Sequence, residues 1–275
     1  MKTQLMTHIV AGYPTLEKCE RLAVIMAESE ASFLEIQIPF SDPVADGKTI
    51  AEANQHALNN GTSVQNCFAL AQRLSKKIKI PILLMSYFNI PFRYGLEKFC
   101  RKARASGCYG LIIPDMPIDE EPYEHYRTLC KKYRLHSIEV ISPLTTGKRL
   151  QKIAVHASGF VYCMARTGTT GERKNLGSTL IRYLQKVRKY ITVPLAIGFG
   201  ISKKSHVKNL SKKADIIVIG SKILNLYNQK GGSAIRSFLK EVVGCLHERT
   251  ITPLQRPVRT VHSRRNGKRS GKTSF

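Results

Sequence analysis

The chain has 275 residues, of which 43% are hydrophobic, a composition typical of one large globular domain or two small ones. Its 44 Lys and Arg against 19 Asp and Glu give a formal net charge of +25, which favours anionic partners. Seven scattered cysteines without a C-x-x-C pair, no secretory signal and no long apolar run predict a cytoplasmic protein without disulfides, metal sites or a membrane span.

Along the chain, short β-rich runs alternate with longer amphipathic helical stretches. The runs are Leu5–Ala11, Phe33–Ile38, Ile82–Ser86, Gly110–Ile113, Ser137–Ile141, Gly159–Cys163, Val193–Ile197 and Asp215–Ile219. This alternation indicates parallel strands joined by right-handed crossovers. Eight such units favour a closed (β/α)8 TIM barrel over the alternative, an open doubly wound sheet, whose dinucleotide-binding G-x-G-x-x-G is missing from the first turn, Ala11–Thr15.

The helical stretches are expected at Leu16–Glu28, Val64–Lys76, Leu96–Ala105, Asp119–Lys132, Thr179–Lys189, Ser205–Lys212 and Lys222–His247. The barrel domain is therefore predicted to span residues 1–247. From Arg249 onward there are eight basic residues and no acidic one. This composition, with little to bury, predicts a disordered basic tail over residues 248–275.

The second strand carries a buried carboxylate. Strand alternation places Glu35 and Gln37 on the barrel interior and puts the intervening apolar residues against the helices. Burial without a partner raises the pKa of a carboxyl toward the range that is useful for proton transfer. A salt-bridged structural glutamate is the alternative, but the neighbouring strand runs contain no Lys or Arg. We therefore expect Glu35 to be catalytic.

Two aspartates follow in the turn after this strand. Asp46 precedes Gly47 and a helical segment, so its ordinary role would be that of a helix cap or turn former. Asp42 is expected to be structural or to lie at an interface.

Two late strands end in glycine-containing turns that suit a phosphate group. Backbone N–H groups of Gly200, Gly220 and Ser221 are expected to bind the dianion at the usual barrel phosphate site. The loop after the sixth run, residues 164–174, is long, polar and glycine-rich, which is typical of a mobile lid or of a plain surface loop.

These residues resemble the tryptophan synthase alpha subunit family over residues 5 to 247. The motifs that carry the resemblance are Leu34–Gly47, Pro114–Pro117, Ala165–Gly171, Gly198–Ser202 and Ile219–Ser221. The resemblance implies retro-aldol cleavage of indole-3-glycerol phosphate to indole and glyceraldehyde 3-phosphate in tryptophan biosynthesis. It also implies a pyridoxal-phosphate beta subunit as the partner, in an α2β2 assembly, with no cofactor in this chain and with contacts on the Pro39–Asp42 loop and the lid.

The resemblance also assigns site residues. Glu35 matches the general acid/base, and Asp46 matches the carboxylate that hydrogen-bonds the indole N–H. The matching substrate and phosphate positions are Tyr87, Ile112, Tyr162, Arg166, Thr170, Gly171, Phe199, Gly200, Gly220 and Ser221.

Some positions depart from the family pattern. Gln37 replaces a glycine beside Glu35, His8 replaces a phenylalanine that lines the indole pocket, and Lys48 replaces a proline. Gln37 is expected to be a sequence variant that keeps activity; the alternatives are that it hydrogen-bonds Glu35 and changes its pKa, or that it crowds the substrate. The N-terminal helix that plugs the barrel floor in the family is nearly absent, and the basic tail has no counterpart there.

Three other functions are consistent with parts of the sequence. A non-catalytic activating subunit would not need both carboxylates, and other phosphate-binding barrels lack the motif from Leu34 to Gly47. The net charge raises nucleic acid as a partner, but no aromatic-interleaved basic motif supports it.

Overall fold

A closed barrel of eight parallel strands forms the centre of the molecule. The computed structural model describes residues 2–164, 177–198, 207–208, 210–211 and 213–247. The strands, which pair in chain order with β8 closing on β1, are β1 Gln4–Val10, β2 Phe33–Gln37, β3 Ile82–Met85, β4 Gly110–Ile112, β5 His136–Ile141, β6 Val161–Met164, β7 Leu195–Gly198 and β8 Ile216–Ile219. All eight predicted runs are confirmed, and their ends shift by only one or two residues.

Helices surround the barrel. They are α1 Leu16–Glu28, α2 Lys48–Asn59, α3 Val64–Lys77, α4 Asn89–Tyr94, α5 Leu96–Ala105, α6 Glu121–Glu124, α7 Tyr126–Lys132, α8 Gly147–His156, α9 Gly177–Arg188 and α10 Ser221–His247. Side chains of Thr15, Ser63 and Thr146 cap α1, α3 and α8 by accepting a backbone N–H of the first turn. Half of the residues in the predicted stretch Ser205–Lys212 lie outside the described residues, and so does the whole tail 248–275.

The stretch Asp119–Lys132 is not the single helix that its periodicity predicts. A 3-10 turn at Ile118–Glu120 and the short α6 precede α7, and His125 between the two helices has φ 53°. The Glu121 carboxylate accepts the N–H groups of Arg127 and Thr128 at 2.8 and 2.9 Å. These donors would bond to helix carbonyls in a continuous helix, so Glu121 caps a new helix instead.

The hydrophobic core has two layers. The outer layer lies between barrel and helices and includes Leu34, Ile36 and Ile38, as strand alternation predicts. The inner layer fills the barrel with residues such as Met6, Leu83, Met85, Ile112, Ile138, Phe160, Ala196, Ile216 and Val218. Inward-facing positions on β2 therefore lie inside the barrel, where Glu35 and Gln37 are buried.

Aromatic rings close the barrel at the amino ends of its strands. Phe33 packs against Phe160 and Tyr109 with ring centroids 5.6 and 6.1 Å apart, and Tyr109 lies 4.3 Å from the ring of His136. We call this group the aromatic floor. It occupies the end of the barrel at which the family's N-terminal helix was expected to be missing.

A buried ion pair ties α7 to the outward face of β5. Arg127 donates from Nε and Nη2 to the two carboxylate oxygens of Glu139 at 2.7 and 2.9 Å, and Nη2 also donates to the Met116 carbonyl at 3.0 Å. Both side chains are at least 95% buried. The bidentate geometry makes this a strong, directional contact between the helix and strand layers.

All seven cysteines are buried and unpaired. Among the described helices, none is long and apolar enough to cross a bilayer.

Candidate functional site

Glu35 points into the barrel from β2, as predicted, and it has a histidine neighbour that the sequence analysis did not predict. His8 on β1 stands directly opposite Glu35 in the strand register, and its Nδ1 lies 3.2 Å from Glu35 Oε2. The atoms are within ion-pair distance but are not aligned as a hydrogen bond, since Oε2 has no bonded partner among the described residues. No Lys or Arg contacts Glu35 among the described residues, as predicted, but the possibility of a histidine contact was not considered.

Asp46 lies near Glu35 and is held from two sides. Gln37 Nε2 and Tyr87 Oη donate to Asp46 Oδ2 at 2.7 and 3.0 Å, and Tyr87 Oη accepts the Ala45 N–H at 3.0 Å. Burial raises the pKa of the Asp46 carboxyl, although both donated hydrogen bonds favour its ionised form. Asp46 does not cap α2, whose first residue follows Gly47 without a side-chain cap.

Gln37 thus bonds the second carboxylate and not Glu35, so the alternative in which it hydrogen-bonds Glu35 is wrong. Its Nε2 also lies 3.3 Å from Asn54 Oδ1, which in turn accepts the Phe40 N–H at 2.9 Å. Asn54 is fully buried on α2 and fixes the start of the loop that carries Asp46. Sequence reasoning missed Asn54, and the only available signal was a polar residue on the apolar face of an amphipathic helix.

Both carboxylates open onto one cavity of about 190 Å³. Its polar side chains are His8, Glu35, Asp46, Tyr162, Ser221 and Lys222, and its apolar wall is formed by Ile50, Met85, Ile112, Pro114, Val140, Met164 and Val218. The predicted residues Ile112 and Tyr162 both line this cavity. A flat apolar group bearing one polar N–H fits such a lining, with the carboxylates on one side.

The predicted residues Tyr87 and Tyr162 differ in their position relative to the cavity. Tyr87 is not among the residues lining the cavity, because its ring stacks on Phe40 at 5.1 Å and its hydroxyl bonds Asp46 from behind. Tyr162 does line the cavity, and a Cβ at Gly198 would lie 2.3 Å from its hydroxyl, so glycine leaves room for the ring.

The end of β8 supplies the side of the cavity suited to an anion. Gly220 and Ser221 line it where α10 begins, and the first turn of a helix leaves backbone N–H groups without helix carbonyl partners. Lys222, which the sequence reading did not single out, lines the same region and is half-buried. A lysine in the first turn is disfavoured by the helix dipole, so a local benefit is needed to explain it.

The remaining predicted positions, Arg166, Thr170, Gly171, Phe199 and Gly200, lie outside the described residues. Within the part of the chain that the structure describes, no cluster of His, Cys, Asp or Glu is arranged to hold a metal ion. The chemistry available in the described cavity is therefore that of two carboxylates, an imidazole, a phenol and an ammonium group.

Comparison with known proteins gives a consistent result. Residues 1–248 match the family described as tryptophan synthase alpha chain. The tryptophan synthase alpha chain of Desulfotalea psychrophila is 42% identical over 235 residues, covering 86% of this chain and 92% of the relative. That of Syntrophotalea carbinolica is 39% identical over 238 residues, covering 86% and 93%.

Solved structures agree in fold. A structure from Aquifex aeolicus VF5 has a TM-score of 0.81 at 34% identity and covers 90% of this chain and 94% of its own. A structure of Mycobacterium tuberculosis tryptophan synthase has a TM-score of 0.82 at 26% identity and covers 89% and 93%.

Proposed function

This chain belongs to the tryptophan synthase alpha chain family, whose known function is the cleavage of indole-3-glycerol phosphate, and from that premise we propose that Glu35 and Asp46 are its catalytic carboxylates. The reaction is a lyase reaction that yields indole and glyceraldehyde 3-phosphate for tryptophan biosynthesis. The observation that carries the assignment of residues is that both carboxylates face one cavity, between an apolar wall and the first turn of α10.

In the proposed reaction Glu35 handles protons. It donates a proton to C3 of the indole ring and accepts the proton of the glycerol hydroxyl as the carbon–carbon bond breaks. Burial at 4% exposure keeps water away from this carboxyl, which strengthens its interactions with the reacting atoms.

Asp46 stabilises the charge that develops on the ring nitrogen. Its Oδ2 is occupied by Gln37 and Tyr87, so the other oxygen is left to accept the indole N–H. Two donors on one oxygen hold the carboxylate in place before the substrate arrives, which is the arrangement that electrostatic catalysis requires.

Asp46→Asn tests this assignment. Asn can still accept from Gln37 and Tyr87 through its oxygen, so the turn should keep its shape while the negative charge is lost. We expect indole release to fall about 100-fold in kcat, measured by the rate of indole formation from indole-3-glycerol phosphate. The matched control is Asp42→Asn, an exposed aspartate in the same turn, which should keep the wild-type rate. Near-normal turnover by Asp46→Asn would remove Asp46 from the mechanism.

The phosphate group is proposed to bind at the start of α10. Gly220 and Ser221 offer backbone N–H groups, Ser221 adds a hydroxyl, and Lys222 adds a positive charge at the cavity wall. In this scheme the positions outside the described residues, Phe199 and Gly200, complete the phosphate site, while Arg166, Thr170 and Gly171 belong to the lid.

Lys222→Met should weaken substrate binding and leave chemistry largely intact. A charge-assisted bond to phosphate is present in both the ground state and the transition state, so its loss raises KM by about tenfold or more with little change in kcat. Steady-state kinetics on indole-3-glycerol phosphate measure both constants. Lys240→Met, at an exposed lysine beyond the kink at Gly231 in α10, removes the same net charge and should change neither constant. If the two variants gave equal KM values, Lys222 would have no specific phosphate contact.

A beta subunit is proposed as the protein partner, in an α2β2 assembly. Support comes from the Mycobacterium tuberculosis tryptophan synthase structures and from the surface. Of the five exposed large hydrophobic residues among those described, Val44, Phe92, Tyr123 and Leu144 follow the carboxyl ends of β2, β3, β4 and β5. Apolar side chains grouped at one end of a barrel suit a protein interface, and the end is that of the cavity.

Pyridoxal phosphate is proposed to belong to the beta subunit alone, since the cleavage described above needs only acid–base groups.

Buried, unpaired cysteines support a reducing cytoplasmic location. The family match ends at residue 248, which supports a barrel domain of 1–247 and a separate basic tail of 248–275.

A further inference from the structure

We propose that His8 is a positioning residue and proton store for Glu35, so that the two side chains work as one acid–base unit; the proposal rests on the proposed function. His8 occupies a position where the resemblance leads one to expect phenylalanine, an apolar ring that could neither hold nor move a proton. The change therefore adds chemistry to the cavity beside the residue that transfers protons.

The ring of His8 is buried, with one nitrogen beside Glu35 and the other nitrogen without a partner among the described residues. One ring nitrogen, Nδ1, lies 3.2 Å from Glu35 Oε2, and the two side chains are 9% and 5% exposed. The other nitrogen, Nε2, is buried without a hydrogen-bond partner among the described residues, and His8 lines the cavity. Gly220 makes room for the ring, because a Cβ there would lie 3.2 Å from both Cβ and Cδ2 of His8.

Buried side-chain nitrogen and oxygen atoms without hydrogen-bond partners among the described residues are concentrated around His8 and Glu35. Within the described part of the chain, His8 Nε2, Glu35 Oε2 and Gln37 Oε1 are all without hydrogen-bond partners, and all three belong to the adjacent strands β1 and β2. Nearly all buried polar atoms in folded proteins are bonded, so a group of three such atoms needs a reason beyond folding. A buried ion pair contributes little to stability in its own right, so the His8–Glu35 contact is better explained by a role in the cavity.

The charges around His8 favour its protonated form. Burial opposes the imidazolium, but the Glu35 carboxylate, with smaller help from Asp46 and Gln37, more than offsets this, and the pKa of His8 is raised. The other titratable groups of the described cavity lining are Tyr162 on β6 and Lys222 at the start of α10. Neither β1 nor β8 brings another titratable side chain to the cavity lining.

The proton balance follows from this pairing. Glu35, once it has taken the shared proton from His8, gives that proton to indole C3, which leaves an ionised carboxyl beside a neutral imidazole. As the bond between C3 and the glycerol carbon breaks, its electron pair enters the ring, the hydroxyl oxygen forms the aldehyde carbonyl, and its proton returns to Glu35. At neutral pH the pair shares one proton between two sites, and His8 supplies it to Glu35 when the substrate needs a protonated acid.

The sign of the pH dependence is fixed by the raised pKa of His8. The pair keeps its last proton below that pKa and loses it as pH rises through it, so activity should fall on the alkaline side. Without His8 the proton must be held by a carboxylic acid alone. A carboxylic acid ordinarily releases its proton about two pH units below imidazolium, and burial offsets only part of that difference, so the alkaline limb should move to lower pH.

The first experiment measures kcat and kcat/KM for indole formation against pH. In His8→Phe the alkaline limb should move down by about one to two pH units. His8→Asn, whose amide can still donate to Glu35 but cannot titrate, should show the same shifted limb with a higher rate than His8→Phe at its optimum. His156→Asn, the same change at an exposed histidine on α8, should keep the wild-type profile. A uniform loss of rate at every pH in both His8 variants would indicate a packing role and overturn the proposal.

The second experiment does not depend on turnover. Histidine ring resonances, assigned to His8 by their absence in His8→Phe, are titrated by NMR in the wild-type chain and in Glu35→Gln. The pKa of His8 should be above that of free histidine in the wild type and should drop when Glu35 is neutral. An unchanged pKa would show that the two groups are not paired and would overturn the proposal. If the pKa drops but the wild-type chain forms no indole at any pH, the proposed function fails while the ion pair stands.

Discussion

Glu35→Gln should lower the kcat for indole release about 10³-fold, the middle of the range that a general acid–base group contributes. The amide has the size of the carboxyl but cannot donate a proton to C3 or accept one from the glycerol hydroxyl. KM should change little, because the phosphate site at Gly220 and Ser221 is untouched. The measurement is indole formation under saturating substrate, with circular dichroism and thermal unfolding to show that the barrel remains intact.

The matched control is the other buried glutamate of the barrel strands, Glu139. It is 4% exposed, as Glu35 is, but it faces the helices and is held by two hydrogen bonds from Arg127. Glu139→Gln should lower stability and leave the kcat of the folded protein near that of the wild type. Equal activity in Glu35→Gln and Glu139→Gln would sink the catalytic assignment.

Arg127→Met should destabilise the protein by about 3–5 kcal/mol, because it leaves the Glu139 carboxylate buried without its cation. It also removes the donor that bonds the Met116 carbonyl. For a chain of this size the expected fall in the unfolding temperature is on the order of 10 °C. Calorimetry or urea unfolding measures the loss, and turnover per folded molecule should stay unchanged because Arg127 does not line the cavity.

A second variant separates the ion pair from the loss of packing. In Arg127→Met combined with Glu139→Leu both charges are replaced by apolar side chains, so most of the lost stability should return. A double variant that is no more stable than Arg127→Met alone would mean that the buried charge is not the cause.

The fold could be predicted well from the sequence because strand and helix periodicities do not depend on distant contacts. The inward direction of Glu35 follows from the two-residue period of β2, and the eight runs match the eight strands. The break at His125 could not be read in this way. A helical pattern continues through it, and only the bonds from Glu121 to the next helix decide between one helix and two.

The contacts within the site were harder to predict for a related reason. Periodicity gives the face of a strand but not its register, and the register alone puts His8 opposite Glu35. Gln37 shares a strand face with Glu35, so a hydrogen bond between their side chains was one of the alternatives. Its amide instead reaches Asp46, nine residues later, whose position depends on Tyr87 and Asn54 from other parts of the chain.

The aromatic floor and the packed inner layer fill the barrel from the amino ends of its strands, and the cavity lies toward the opposite end, so substrate and products are expected to use that end. Both products of cleavage must then leave by the mouth through which the substrate enters. The product nearer the mouth has to depart first, so the release of one product can delay the other. A protein bound across that mouth could therefore set the turnover rate without touching a catalytic residue.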